Sequence, residues 1–166
     1  MRVDVVDAVA HAVLCQPPRY AIATLDSALN RRMIRESELA AIFAALPRKY
    51  SVLRPLIDGR AQAGTETLVR LMVRGMGVTV QPQAHFSGIG YVDLLVDGWL
   101  VIECDSKEFH SEWRQQVKDR ERDLALAARG ITVLRVTAAQ VFFRPDEVRA
   151  AISALVRTRR SAHNSA

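Results

Sequence analysis

The chain has 166 residues, 49% of them hydrophobic and 25% charged, with a formal net charge of +5. That is enough chain to bury a real core, and no apolar run reaches the roughly 20 residues of a membrane-spanning helix. Cys15 and Cys104 stand far apart with no CxxC spacing, which argues against a zinc site or a disulfide framework and fits a reducing compartment.

The N-terminal stretch MRVDVVDAVA carries acids where a signal peptide is apolar, so the expected location is cytoplasmic, with no membrane partner. Net positive charge favours a polyanionic partner. The acids are nevertheless concentrated: residues 93–123 hold nine of the eighteen, against five bases. Metal ions held against a phosphate backbone would need that pattern, and a solvated helix face would also produce it.

In chain order, residues 1–60 are helical in character. Val6, Val9, Ala10, Val13 and Leu14 recur at helical spacing until Pro17 and Pro18 stop them. Pro18 can open a second helix with Ala21, Ile22, Leu25 and Leu29 on its apolar face. A third starts around Ser37 and ends before Pro47, and a fourth short helix is expected over residues 50–57. Such a segment is a small packed bundle or a helix-turn-helix reader of DNA.

From residue 61 the pattern changes, and residues 61–160 read as a second domain. Gly64 or Thr65 caps a helix reaching about residue 76, with Glu66 in its first turn. The stretch VTVQPQAHF is a strand that Pro82 assigns to an edge. After Gly88-Ile89-Gly90 comes a hairpin, YVDLLVDGWLVIECD, with Asp97-Gly98 at its tip. Residues 111–129 form a long helix whose stripe is Trp113, Val117, Leu124 and Ala128. A strand ITVLRV and a helix over 138–158 follow, and the tail RTRRSAHNSA looks frayed. A hairpin, then a helical crossover to another strand, predicts an α/β mixed sheet flanked by helices, preceded by a short all-helical segment.

Three acids fall on this hairpin: Asp93, Glu103 and Asp105. Carboxylates are costly inside a sheet unless paired, and magnesium takes one or two carboxylates plus waters and substrate phosphate. Asp105 lies two residues beyond Glu103, on the same face of a continuing strand. The alternative is that Asp105 simply ends the strand and Glu103 pairs with an arginine; a further one is a protein-interaction domain in which the acids are ion-paired to Arg70 or Arg135. Register matters too. A strict two-residue loop at Asp97-Gly98 would set Asp93 against Ile102 and point Glu103 away, so a shared metal site requires a one-residue offset, by a bulge or a three-residue loop over 97–99.

Gly64-Thr65-Glu66, Gly90-Tyr91-Val92-Asp93, Val101-Ile102-Glu103-Cys104-Asp105, His110, DRERDLALAARG and ITVLRVT, in that order over residues 64–142, resemble the PD-(D/E)XK nuclease superfamily. More closely they resemble domains related to very-short-patch-repair endonucleases, which act in DNA repair. The resemblance implies a restriction-endonuclease-like fold and Mg2+- or Mn2+-dependent cleavage of DNA at Asp93 and Glu103, supported by Glu66. Asp105 would be a third ligand or base-orienting group. In the wider family a helical segment often precedes the nuclease domain.

The superfamily pattern places a lysine two residues after the second acid, where this chain has Asp105. Lys107, Gln115, Lys118 and His110 are the residues that could compensate, and histidine suits proton transfer near neutrality. Arg114, Lys118, Arg120 and Arg122, with Arg157, Arg159 and Arg160, are candidate phosphate contacts. Trp113 is expected in the core. The leading reading is a metal-dependent endonuclease. The alternative is a catalytically inactive nucleic-acid-binding regulatory module, of toxin–antitoxin or abortive-infection type.

Overall fold

The computed structural model describes residues 4–105 and 113–164. Two compact units emerge, residues 1–71 and residues 72–166.

The first unit is helical. Helix α1 (Val5–Leu14) starts where the Asp4 carboxylate accepts the Val6 N–H at 3.0 Å, and α2 (Pro18–Asn30) begins on its proline. A 3₁₀ turn (Glu36–Glu38) leads into α3 (Leu39–Ala45). The fourth element is not the expected α-helix but a 3₁₀ segment, Arg48–Leu56, with Pro55 inside it. The proline ring clashes with the carbonyl four residues back, which disfavours α-helical geometry over that turn. Val13, Leu25 and Ile42 are fully buried at the centre, with Leu46 and Leu53 packed around them.

One polar cluster sits within this unit. Asp26, on α2, accepts from Thr67 Oγ1 at 2.7 Å, from Arg70 Nη2 at 2.8 Å and from the Asp58 N–H at 2.7 Å. Arg70 Nη2 also donates to the Leu56 carbonyl at 2.8 Å. Thr67 and Arg70 belong to α4 (Gly64–Arg74), so one buried carboxylate ties α2, the end of the 3₁₀ segment and α4 together. Burial raises the Asp26 pKa, and its contacts with Asp58, Thr67 and Arg70 only partly offset that.

The second unit is built on a four-stranded sheet of β1 (Val80–Phe86), β2 (Gly90–Val96), β3 (Leu100–Asp105) and β4 (Thr132–Thr137), in that spatial order. The first three strands are antiparallel and β3 pairs with β4 in parallel, the crossover carrying α5 (Trp113–Ala127). Proline-bearing β1 is at an edge, as its sequence requires. With α6 (Ala138–Phe143) and α7 (Pro145–Asn164) this is the mixed α/β sheet flanked by helices that the sequence predicts, and it is consistent with a restriction-endonuclease-like fold. No helix among the described residues is long and apolar enough to cross a membrane.

Two helical expectations are corrected. The single helix over 138–158 is two, because Arg144 precedes Pro145 and leaves the helical region (φ −135°, ψ 48°); α7 then continues to Asn164, into the tail expected to fray. The apolar stripe assigned to α5 does not face the core: Trp113 is 67% exposed and Leu124 72% exposed, whereas Leu126 is buried. Arg120 lies over the Trp113 ring, 5.7 Å from its centroid. The less exposed face of α5 runs through Asp119, Arg122, Asp123 and Leu126, at three- and four-residue spacing. It is charged because it carries partners for charged groups on the sheet.

Candidate active site

The site begins at the hairpin turn. Asp97 and Gly98 both have positive φ (45° and 74°), as the twist of a tight hairpin demands, and glycine alone takes such angles freely. Asp97 is held there because its Oδ1 accepts from both the N–H and the hydroxyl of Thr79, each at 2.8 Å. The Trp99 N–H closes the turn on the Val96 carbonyl at 3.1 Å, yet the strand register pairs Val96 with Leu100. Trp99 is therefore the extra residue that supplies the one-residue offset. The ladder continues Leu95 with Val101 and Leu94 with Ile102, and one further step sets Asp93 across from Glu103.

At that step side chains replace the ladder. Asp93 Oδ2 accepts the Cys104 N–H at 2.8 Å, and Glu103 Oε2 accepts the Asp93 N–H at 3.3 Å. On the other side of β2, the paired residues pass from Pro82–Leu94 to Ala84–Val92, and Gln83, at the intervening position, has φ 51°. Asp93 thus sits at an irregularity in the sheet, with its carboxylate bound into the backbone of the neighbouring strand. The two acids are half-buried and buried respectively, and backbone N–H groups hold them together against their mutual repulsion.

Glu103 records the cost. Burial first, and the Asp93 charge second, push its pKa up to about 7, although Arg122, the Asp93 N–H and Arg135 pull the other way. Arg122 reaches in from α5, its Nη2 2.9 Å from Glu103 Oε1 and also donating to the Tyr91 carbonyl. Glu103 Oε1 and Arg122 Nε are both buried without a hydrogen-bond partner. Leaving such a group unsatisfied costs about 1–3 kcal/mol, so the ion pair is an imperfect one. The alternative in which Asp105 ends the strand and Glu103 pairs with an arginine is seen in both parts, with Arg122 as the partner; Arg70 and Arg135 are not the partners, since Arg70 binds Asp26 at 2.8 Å and Arg135 binds Asp123 at 2.6 Å.

The folded protein therefore holds the Glu103 proton up to about pH 7, whereas the unfolded chain releases it near 4.5. Stability from this group is complete below the lower value and is lost as pH rises through the higher one, on the order of 3 kcal/mol in total. We expect denaturant unfolding from pH 4 to pH 8 to show wild type losing about that much relative to Glu103→Gln. Parallel curves for the two proteins would show that Glu103 titrates normally.

The remaining expected residues are placed as follows. Asp105 is exposed at the end of β3, and among the described residues no three His, Cys, Asp or Glu side chains form a metal-binding group. Glu66 belongs to the first unit, buried in the first turn of α4 with its Oε2 accepting the Gln62 N–H at 3.0 Å. Lys107 and His110 lie outside the described residues, as do the side chains of Arg114 and Gln115. Lys118 is exposed on α5. Arg122, expected at phosphate, has internal partners here. Arg157 is exposed, Arg159 lies over the Trp99 ring, and Arg160 donates to the Gly77 carbonyl at 3.0 Å.

What sequence reasoning missed is the placement of Arg122 on Glu103. Its spacing of three from Asp119 and four from Leu126 puts Arg122 on the inner row of α5, but no local spacing names Glu103 as its partner.

Residues 66–156 match the restriction-endonuclease-like family described as REase_MTES_1575. The chain belongs to the REase_MTES_1575 family. The matched segment contains the whole sheet, the hairpin acids, α5 and Glu66, and ends before Arg157, Arg159 and Arg160. No curated protein and no solved structure matches the chain.

Proposed function

We infer that the protein is a metal-dependent DNA endonuclease whose centre is the Asp93–Glu103 pair. The observation that carries this reading is that pair itself: two carboxylates, fixed by backbone N–H groups at an irregular point in the sheet, with burial and mutual repulsion raising the Glu103 pKa to about 7. A divalent cation relieves that repulsion. Two hard oxygen donors suit Mg2+ or Mn2+, which completes its shell with waters and substrate phosphate.

Asp93 and Glu103 would hold the ion, with Asp105 at the strand end as a further ligand or orienting group. The bound ion supplies Lewis acidity and a lowered water pKa at a phosphodiester. Asp93, anchored by the Cys104 N–H, orients its carboxylate without conformational search. Glu103 must be ionised to serve, so cation binding strengthens as pH rises toward 7. Lys107 or His110 would assist proton transfer, and Lys118 on α5 would contact phosphate.

A second reading rests on two observations. Asp105 stands where the superfamily has lysine, and an arginine caps Glu103. A nucleic-acid-binding module that has lost cleavage accounts for both.

Incubating supercoiled plasmid with the protein and Mg2+ or Mn2+ separates the readings. The expected result is nicked or linear product that EDTA abolishes. No product with either metal, together with a salt-sensitive shift of the DNA, would transfer the assignment to the binding module.

A further inference from the structure

Arg122 places its charge on the carboxylate pair of the candidate site. Its Nη2 is 2.9 Å from Glu103 Oε1, and that oxygen is buried beneath it. The other oxygen, Oε2, takes the Asp93 N–H. Both oxygens of Glu103 are therefore in use, one by a neutral backbone donor and one by a full positive charge. Asp93 and Glu103 would hold a divalent ion beside this guanidinium, and two cations at a single carboxylate repel strongly at low local dielectric.

We propose that Arg122 is an exchangeable cation: it and the divalent metal compete for Glu103, and metal entry expels the guanidinium from the site. This rests on the metal-dependent reading above and deepens it.

Three observations support exchange over a permanent ion pair. Arg122 retains 27% side-chain exposure, so its long arm has a route outward. Its Nε is buried without a hydrogen-bond partner, so the inward position leaves a donor unsatisfied that solvent would satisfy at once. Its other anchor is a single backbone carbonyl, that of Tyr91. A permanent clamp on a carboxylate is generally bidentate and fully hydrogen-bonded, and this one is neither. Expelled, the guanidinium would emerge four residues along α5 from Lys118, which is already exposed on that helix.

The test reads the metal directly, without cleavage. Mn2+ binding followed by electron paramagnetic resonance should be at least about tenfold tighter in Arg122→Gln than in wild type, because the competitor is gone. Asp93→Asn should bind Mn2+ weakly with or without the Arg122 change. Equal or weaker Mn2+ binding by Arg122→Gln would overturn the exchange while leaving the metal site intact. Absence of binding in wild type and in Arg122→Gln alike would overturn the metal reading and the exchange with it.

A measurement on the unaltered protein guards against misfolding of the variant. Titration with diamagnetic Mg2+ should move the Arg122 Nε–H resonance and speed its exchange with solvent. A resonance that stays protected at saturating Mg2+ would show that the guanidinium never leaves.

Discussion

Asp93→Asn should abolish metal-dependent cutting while leaving the protein as stable as wild type or more so. The amide oxygen of asparagine can still accept the Cys104 N–H that Asp93 Oδ2 now takes at 2.8 Å, so the junction between β2 and β3 is kept. What disappears is the negative charge. If Asp93 holds the ion as proposed, losing its carboxylate forfeits several kcal/mol of metal-assisted stabilisation, or on the order of 10³-fold in rate. The same change relieves Glu103, whose pKa is raised partly by Asp93, and should bring its titration down from about 7 toward the ordinary carboxylate range. Three readouts then move together: plasmid cutting falls, the Glu103 carboxyl carbon titrates lower by NMR, and the melting temperature holds or rises. Activity near wild type would remove Asp93 from the centre. Lost activity together with a lowered melting temperature would instead indicate damage to the hairpin.

The second large effect lies in the helical unit. Asp26→Ala is expected to cost about 3–5 kcal/mol in denaturant unfolding, since it leaves the guanidinium of Arg70, only 3% exposed, without its carboxylate. Arg70→Met should cost a similar amount by stranding Asp26, whose pKa burial already raises. The double change Asp26→Leu with Arg70→Met is expected to be milder than either single change, because it removes both charges from the interior at once. A loss below about 1 kcal/mol for Asp26→Ala would mean that solvent reaches the cluster and that it is no structural tie.

The order of elements was legible because glycine and proline mark their boundaries at Pro17-Pro18, Pro47, Asp97-Gly98 and Gly130. The paired acids were legible as well, since buried carboxylates on adjacent strands are too costly to be incidental. Two things were hidden. Hydrophobic periodicity finds the inward face of a helix only when that face packs on apolar groups, and α5 lies against Glu103 and Arg135, so its inner row includes Arg122 and Asp123 while Trp113 and Leu124 stay outside. The Arg122–Glu103 contact depends on how the crossover helix lies over the sheet, a long-range geometry that no local spacing encodes. The 3₁₀ form of Arg48–Leu56 was signalled by Pro55, whose effect on the preceding turn outweighs the apolar spacing around it.

Surface turns are where protein lineages ordinarily accept insertions and deletions most freely. The tip at Asp97, Gly98 and Trp99 cannot share that freedom. It acts as a counter that decides whether Asp93 and Glu103 meet, since losing one residue there would turn all of β3 over with respect to β2. Side chains at the tip can drift while their number cannot, so the meeting of the two acids carries a third, unwritten requirement in the length of a loop that touches neither of them.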